Sequence, residues 1–219
     1  MINIHNGIDR RGALEKAFEF IYKSETEGDY FEFGVFQGVS LARAIRADLN
    51  WKKKTGRDLV RRFVGFDSFE GLPSFVEGDN LMGYEVFQPG QFSDTSQERV
   101  RAELQREGMP TDNLILIPGF YSESLVAQET TEHLQGAQVA IVHIDCDLYS
   151  SAKECLDFLT GRLADGAVIL FDDWFCYRGR PDRGVHQAFD EWCHQAPYWA
   201  SDYFNYSWAG RAFIINTKE

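Results

Sequence analysis

The chain has 219 residues, of which 44% are hydrophobic and 15% aromatic, and this composition suits one large domain with a full core. A formal net charge of -12 argues against a nucleic-acid backbone or an anionic membrane as the main partner. No apolar run reaches the roughly 18 residues of a membrane span, and the N-terminus lacks the basic and apolar regions of a signal peptide. We therefore expect a cytoplasmic enzyme that handles a cation or a neutral small molecule.

The first half of the chain shows apolar periodicities typical of alternating helices and strands. Apolar residues at helical spacing predict an amphipathic helix over residues 10–24, within an N-terminal segment 1–28. The next predicted elements are a strand over 30–35, a helix over 39–51, a strand over 60–67, a helix over 94–107, a strand over 113–119 and a short helix within 121–128.

The stretch between the second strand and its following helix is long and irregular. Residues 68–91 are interrupted by Gly and Pro and show no firm periodicity. A structureless stretch of this length is unusual in a compact domain and is often functional. We interpret residues 72–95 as a substrate lid, with an ordinary irregular insert as the alternative.

The second half of the chain contains a parallel βαβ unit. Two short apolar runs, 139–144 and 167–171, flank a helix predicted over 150–163. The remaining predicted elements are a helix over 184–194 and strands over 198–206 and 208–215. The whole predicts one α/β domain over 1–219, with a doubly wound, mostly parallel sheet and a C-terminal antiparallel hairpin.

Four carboxylates follow the two strands of the βαβ unit, namely Asp145, Asp147, Asp172 and Asp173. Parallel strands end on the same edge of the sheet, and ligands bind outside that edge in open α/β sheets. Clustered acids need a cation, protons or a basic partner. Because hard oxygen ligands suit Mg²⁺ or a similar ion, Asp145, Asp172 and Asp173 are predicted to bind a divalent cation.

Asp147 is the candidate general base for a substrate hydroxyl that the metal would hold and acidify. An ordinary carboxyl pKa of roughly 4 makes Asp147 a weak base, so the metal would have to contribute most of the activation. The alternative is that Asp147 or Asp173 caps the helix that follows it.

The first strand leads into a glycine turn and a helix, a pattern typical of nucleotide-type loops. The dinucleotide fingerprint would need glycine at 34, 36 and 39, but Phe36 and Val39 occupy the last two positions. An acid, Glu32, precedes Gly34 instead, and a second acid, Asp67, closes the next strand where doubly wound folds hold a ribose diol. The combination favours an adenosine ligand bearing an amine, and S-adenosylmethionine fits better than NAD.

Together these segments resemble the macrocin O-methyltransferase-like family, whose members include sugar O-methyltransferases of macrolide and aminocoumarin biosynthesis. The resemblance covers roughly residues 29 to 215, and a more remote likeness is to catechol O-methyltransferase. Larger family members carry extra N-terminal helices over the acceptor site, and this chain is short there. The segments that carry the resemblance are 32–35 with 38–40, 65–73, 144–151 and 171–174.

The resemblance implies a class I methyltransferase fold, S-adenosylmethionine as donor, and Mg²⁺-dependent methylation of a hydroxyl on a small molecule such as a sugar. By position, Asp145, Asp172 and Asp173 match the metal ligands, and Asp147 matches a proposed base, with Asp145 as the second catalytic candidate. The predicted donor-binding residues are Glu32, Gly34, Phe36, Gly38, Ser40, Asp67, Ser68, Gly119 and Asp145.

Several alternatives stay open at this point. Some members of the family have been assigned a histidine as the base, and the candidates in this chain are His143 and His186. The position of His143 inside a strand favours a core residue. A metal-dependent glycosyltransferase or a non-catalytic methyltransferase-fold binding protein are the competing functions. The aromatic C-terminal hairpin is a candidate interface of a homo-oligomer. Four aromatic residues could form a wall beside the metal, and the alternative is that they pack under the lid. They are Tyr149, Trp174, Phe175 and Tyr177.

Overall fold

Strands and helices alternate along almost the whole chain, as the periodicities predict. The computed structural model describes residues 7–79 and 87–218. The elements in chain order are α1 (Arg10–Ser24), β1 (Gly28–Phe33), α2 (Val39–Thr55), β2 (Val60–Asp67), α3 (Gln97–Arg106), β3 (Leu114–Pro118), α4 (Tyr121–Ser124), α5 (Gln128–His133), β4 (Val139–Ile144), α6 (Tyr149–Leu159), β5 (Leu163–Phe171), α7 (Gly184–Gln195), β6 (Tyr198–Tyr206) and β7 (Gly210–Thr217).

The strands of the described residues form one seven-stranded sheet in the order β3-β2-β1-β4-β5-β7-β6. β1 to β5 pair in parallel, and β7 pairs antiparallel with both β5 and β6. The predicted doubly wound, mostly parallel sheet with a C-terminal antiparallel hairpin is therefore confirmed. The strand order reverses at β1, between β2 and β4, and this switch point is where such sheets bind ligands.

Helices cover both faces of the sheet, and each face has its own hydrophobic core. On one face, residues of α1, α2 and α3 pack on alternate side chains of the strands, including Tyr30, Phe63 and Ile141. On the other face, α6 and α7 pack on the intervening side chains, including Phe31 and Val142. This alternation explains why the central strands read as continuous apolar runs, because parallel strands are buried on both sides. Among the described helices, none is long and apolar enough to cross a bilayer.

Predicted bounds agree with the structure for α1, β2, β4 and β6. They differ most at α2, which continues to Thr55 instead of ending near residue 51, and around α6. The helix was expected over 150–163, but α6 ends at Leu159, where Thr160 is extended and Gly161 has a φ of 80°. Leu163 therefore begins β5 instead of ending the helix. β1 was expected over 30–35, but it begins at Gly28 and ends at Phe33, because the next residue, a glycine, turns the chain away.

Candidate active site

A cavity of about 610 Å³ lies over the switch point of the sheet. Its lining includes Gly34 after β1, Asp67 at the end of β2, Asp145 after β4 and Asp173 after β5. These residues come from four strands whose carboxyl ends share one edge of the sheet. The predicted convergence of distant acids on one hollow therefore holds for Asp145 and Asp173, which both line it.

The glycine turn after β1 requires its glycine. Gly34 has a φ of 88°, and a Cβ atom built there would lie 1.9 Å from the carbonyl oxygen of Asp145. A side chain at 34 would therefore collide with the backbone that follows β4. Gly38, with a φ of 85°, is the residue before α2. Between them, Phe36 lines the cavity and donates its N–H to Asp67 Oδ2 at 2.8 Å.

Asp67 joins the glycine turn to the segment after β2. Its carboxylate accepts N–H groups from Phe36 and Phe69, each at 2.8 Å, so it also caps its own local turn. Burial raises the pKa of Asp67, although these N–H groups lower it in part. Ser68 lines the cavity beside Asp67, whereas Gly119 does not line it but donates its N–H to the Asp67 carbonyl at 3.0 Å.

Glu32 and Ser40 lie beneath the cavity and do not line it. Glu32 is fully buried and accepts hydrogen bonds from Ser40 Oγ at 2.7 Å and from the Tyr30 hydroxyl. Its Oε2 atom is 3.6 Å from His143 Nδ1. Their predicted contact with the donor stays a prediction, and the structure places both in a buried polar network under the glycine turn.

His143 links this network to the acids of the central unit. Its Nε2 atom is 3.0 Å from Asp172 Oδ1, which also accepts the Tyr206 hydroxyl at 2.5 Å. His143, Asp145 and Asp172 each offer one ligand atom, and these atoms lie within 4.8 Å of one another. A cation could therefore be held here by two of the predicted ligands together with His143.

Asp173, the third predicted metal ligand, faces a different set of partners. Its Oδ2 atom accepts the N–H of Asp147 at 3.2 Å, and its Oδ1 atom accepts the thiol of Cys176 at 3.4 Å. Asp173 and Asp147 both line the cavity, whereas Asp172 does not. The acids thus form two neighbouring pairs, Asp145 with Asp172 and Asp147 with Asp173.

A basic side chain that no local residue pattern predicts lies among these acids. Arg10, the first residue of α1, is 3.5 Å from Asp145 Oδ2 through its Nη1 atom and contacts Asp172 Oδ2 through its Nε atom. The contact with Asp172 lacks hydrogen-bond geometry, and Asp172 Oδ2 accepts no hydrogen bond among the described residues. Arg10 therefore neutralises part of the charge of two predicted metal ligands.

The acids nevertheless remain short of positive charge. Burial and repulsion from Asp172 and Asp173 raise the pKa of Asp145 well above its usual value. Burial and repulsion from Asp147 and Asp172 likewise raise the pKa of Asp173. Burial acts in the same direction on Asp172, but attraction to His143 and Arg10 outweighs it and lowers the pKa of that carboxyl. A further cation would stabilise the ionised forms of Asp145 and Asp173.

The interpretation of Asp147 or Asp173 as a helix cap is wrong. α6 follows Leu148, which makes no side-chain cap, and the N–H of Ser150 is instead taken by Asp79 Oδ1 at 2.9 Å. The α7 helix follows Arg183, which also makes no side-chain cap. A remote carboxylate therefore satisfies the N-terminus of α6.

The predicted lid contributes to the same cavity, as far as it is described. Leu72, Val76, Phe87 and Phe92 line the hollow, and residues 80–86 of the predicted lid lie outside the described residues. Two backbone hydrogen bonds join the stems of the segment, from the N–H of Leu72 to the Gln91 carbonyl and from the N–H of Gly90 to the Leu72 carbonyl. That the segment closes over substrate stays a prediction.

The aromatic side chains expected beside the acids are replaced by a different one. Trp174 and Tyr177 are buried, Phe175 is partly buried against the core, and Tyr149 donates to Glu191 Oε2 at 2.8 Å; none of the four lines the cavity. Trp208, at the turn between β6 and β7, does line it and is 63% exposed. Trp174 packs on Phe189 of α7 and Phe213 of β7, away from the lid, whereas the Tyr149 ring lies beside Gly78 of the predicted lid.

Neither of the histidine alternatives for the base lines the cavity. The His186 ring packs against Trp174 in a tilted arrangement with ring centroids 4.2 Å apart, and its Nε2 atom is 3.5 Å from Asp190 Oδ2. Burial lowers its pKa. His143 is buried between two carboxylates, as the interpretation of a core histidine expects. Of the candidate bases, Asp147 is the one that lines the cavity.

Comparison with known proteins gives an independent result for the same chain. A model of the family described as Macrocin-O-methyltransferase (TylF) matches residues 4–196. The chain is 28% identical over 170 residues to the 8-demethyl-8-(2,3-dimethoxy-alpha-L-rhamnosyl)-tetracenomycin-C 4'-O-methyltransferase of Streptomyces olivaceus, covering 77% of this chain and 61% of that protein. It is 24% identical over 176 residues to the demethyldecarbamoylnovobiocin O-methyltransferase of Streptomyces niveus, with the same coverage of 77% and 61%.

Solved structures give the same fold. The O-methyltransferase NovP superposes with a TM-score of 0.68 at 18% identity, covering 96% of this chain and 80% of that one. CalS11, a calicheamicin methyltransferase, superposes with a TM-score of 0.70 at 21% identity, covering 93% and 77%. At these identities the superpositions show the fold alone. The chain spans about 61% of the length of the curated relatives that it matches.

Proposed function

Because the chain belongs to the macrocin-O-methyltransferase family, we propose that it transfers the methyl group of S-adenosylmethionine to a hydroxyl of a small molecule. A sugar ring of a natural product is the favoured acceptor, since the matched relatives include a rhamnosyl 4'-O-methyltransferase. The observation that carries the proposal is a single cavity that joins predicted donor residues, Gly34 and Asp67, to Asp147 and Asp173.

The donor half of the cavity lies over β1 and β2. Asp67 closes β2, and its neighbour Ser68 lines the hollow with it, at the position where such folds hold a ribose. Phe120 and Tyr121, which follow the adjacent strand β3, supply apolar lining for a base. Asp145 lies beyond Gly34 and offers a carboxylate to the amino group of the donor. An acidic lining also favours a donor that carries a sulfonium cation.

The acids after β4 and β5 fit a divalent cation. Asp145 and Asp172 bring carboxylate oxygens within 4.8 Å of each other, and Asp172 Oδ2 is a buried acceptor without a hydrogen bond among the described residues. We propose that Asp145 and Asp172 would hold Mg²⁺ together with Asp173, which lies outside the group of atoms within 4.8 Å and accepts the N–H of Asp147 instead. Oxygen ligands of this kind suit that ion. When bound, Mg²⁺ would supply a Lewis acid that lowers the pKa of the acceptor hydroxyl.

We propose that Asp147 receives the proton of the acceptor hydroxyl. Its backbone is fixed on both sides, because its N–H donates to Asp173 and its carbonyl accepts the Tyr177 hydroxyl at 3.1 Å. The resulting φ of 59° is uncommon for a residue other than glycine. This strained and well-held backbone keeps the Asp147 carboxylate at the cavity, and positioning of this kind is the main contribution that methyl transfer needs.

The acceptor half of the cavity is built by three segments that meet at its rim. Arg10 belongs to the start of α1, Cys176 to the loop after β5 and Trp208 to the β6–β7 turn. Two backbone hydrogen bonds hold the β6–β7 turn. Ser207 donates its N–H to the Ile8 carbonyl at 2.6 Å, and Phe175 donates its N–H to the Ala209 carbonyl at 3.0 Å. An exposed indole on a fixed turn beside the acids suits a flat contact with a sugar ring.

A methyl-transfer assay tests the proposal. The wild-type chain is incubated with S-adenosylmethionine carrying an isotopic label in its methyl group and with dTDP-L-rhamnose or methyl α-L-rhamnopyranoside, with and without Mg²⁺. We expect a labelled, mono-methylated sugar and a higher rate with Mg²⁺. Binding of a nucleoside diphosphate in place of S-adenosylhomocysteine, with no methyl transfer, would favour a glycosyltransferase. Donor binding without transfer to any hydroxyl would favour a binding protein.

A further inference from the structure

Arg10 enters the acid cluster from outside the strand and loop segments that form the rest of it. It begins α1, whose first turn is fixed by Asp9, which accepts the N–H of Gly12 at 2.7 Å. The guanidinium contacts Asp145 and Asp172, two of the three carboxylates assigned to the metal. The Arg10 side chain also lines the cavity and is 50% exposed.

We propose that Arg10 is the resident counter-ion of the acid cluster and that it competes with the divalent cation for Asp145 and Asp172. The inference rests on the metal site of the proposed function. The same oxygen, Asp172 Oδ2, is contacted by Arg10 and is available as a metal ligand. A guanidinium and a metal ion cannot both occupy the space in front of that atom, so binding of the metal requires Arg10 to withdraw.

Arg10 is the partner that can move. The Asp172 side chain is 1% exposed and is held by His143 and by the Tyr206 hydroxyl, so its position is fixed from behind. Arg10, in contrast, reaches the cluster with a long flexible side chain that is half in solvent. Its backbone keeps its place because the helix is capped by Asp9 and does not depend on the guanidinium.

The competition has a structural reason and a measurable cost. Without a metal ion, buried carboxylates that lacked a cation would destabilise the fold, and Arg10 supplies that cation. Only molecules in which Arg10 has withdrawn from the acids can bind the metal ion. The apparent dissociation constant of the metal is therefore the intrinsic constant divided by the fraction of such molecules. If Arg10 holds the acids in about nine molecules of ten, its removal tightens metal binding about tenfold.

The test is a Mn²⁺ titration followed by the electron paramagnetic resonance signal of free Mn²⁺. It compares the wild-type chain with Arg10→Gln and with Arg11→Gln as the matched control. Arg11 is the next residue, is exposed and pairs with Glu15 at 3.0 Å, so both variants remove one positive charge but only one touches the cluster. We expect about tenfold tighter Mn²⁺ binding in Arg10→Gln and unchanged binding in Arg11→Gln. Mn²⁺ should also raise the melting temperature of Arg10→Gln more than that of wild type.

Each outcome decides the inference. Mn²⁺ binding to Arg10→Gln but not to wild type would support the strongest form, in which Arg10 excludes the metal. Equal or weaker binding in Arg10→Gln would overturn the competition, as would the absence of binding in both proteins. Calorimetry with S-adenosylhomocysteine on the same samples separates failure of the competition from failure of the proposed function. Normal binding of S-adenosylhomocysteine shows that the protein is folded, and the methyltransferase proposal then stands even if Arg10 and the metal do not compete.

Discussion

At the scale of single residues, the buried histidine in β4 is a structural centre of the site. His143 lies between Glu32 and Asp172, with nitrogen-to-oxygen distances of 3.6 and 3.0 Å. Burial alone would lower its pKa, but attraction to Asp172 and Glu32 outweighs burial and raises the pKa well above the usual value. In the absence of a metal ion, the two carboxylates favour the protonated form of His143, which compensates the charge that Glu32 and Asp172 bring into the core.

Replacement of that histidine tests its role. His143→Leu leaves Glu32 and Asp172 buried without this cationic partner, and we expect the free energy of unfolding to fall by about 3–5 kcal/mol. Urea denaturation followed by circular dichroism measures the change. His133→Leu, at an exposed histidine of α5, is the control and should stay close to wild type. Equal stability of His143→Leu and wild type would contradict the role.

Asp147 supplies a second prediction at this scale. Asp147→Asn keeps the size and the backbone contacts of the residue but removes the base, and we expect kcat to fall by about 10²- to 10⁴-fold. Calorimetry should show unchanged affinity for S-adenosylhomocysteine. Asp157→Asn, on the exposed face of α6 beside Lys153, is the control. Full activity of Asp147→Asn would show that another group takes the proton.

Local residue patterns predict some contacts of the site and not others. Gly34 and Asp67 were predictable because a turn after β1 and an acid after β2 are local patterns with a fixed place in such sheets. Arg10 was not, because its contact with Asp172 joins the first helix to the fifth strand and has no spacing signal. Glu32 was predicted to contact the donor, but it lies buried under the glycine turn. Its position depends on the face of β1 to which its side chain belongs, and the local pattern does not specify that face.

At the scale of elements, the predicted lid is attached to α6 by one carboxylate. Asp79 accepts the N–H of Val76 at 3.0 Å, and the N–H and hydroxyl of Ser150 at 2.9 Å each. It therefore closes the lid's own turn and satisfies the N-terminus of α6 at once. No short-range pattern could reveal this cap, because helix caps are normally sought in the residue just before the helix.

Removal of the carboxylate should loosen both elements. Asp79→Ala is expected to lower the free energy of unfolding by about 1–2 kcal/mol, as the loss of a helix cap does. Hydrogen–deuterium exchange should become faster in residues 72–79 and in the first turn of α6. The exposed Asp182, which pairs with Arg180 away from α6, provides a control in Asp182→Ala. Unchanged exchange of residues 72–79 in Asp79→Ala would contradict the attachment.

The C-terminal hairpin carries two exposed tryptophans that allow a matched comparison. Trp208 is 63% exposed and lines the cavity, whereas Trp199 is 64% exposed and does not. We expect Trp208→Ala to raise the KM for the sugar acceptor by about fivefold or more, which corresponds to ~1 kcal/mol. Trp199→Ala should leave it unchanged, and neither should alter donor binding. Equal KM values for the two variants would remove Trp208 from the acceptor site.

At the scale of the whole molecule, the order of elements was predictable but part of their arrangement was not. Alternating strands and helices, followed by two adjacent strands, define a doubly wound sheet with an antiparallel edge. The sheet order β3-β2-β1-β4-β5-β7-β6 depends on pairing between strands that are far apart in the chain. The acids nevertheless converge as expected, because parallel β4 and β5 must end at the same edge.

Calorimetry with S-adenosylhomocysteine on the wild-type chain tests most directly whether the cavity over the switch point binds a methyl donor. We predict a saturable one-to-one isotherm with a dissociation constant on the order of micromolar, weakened in Asp67→Ala. The Asp182→Ala variant should bind like wild type. The absence of heat at roughly millimolar ligand, in protein shown to be folded, would contradict donor binding and with it the proposed methyl transfer.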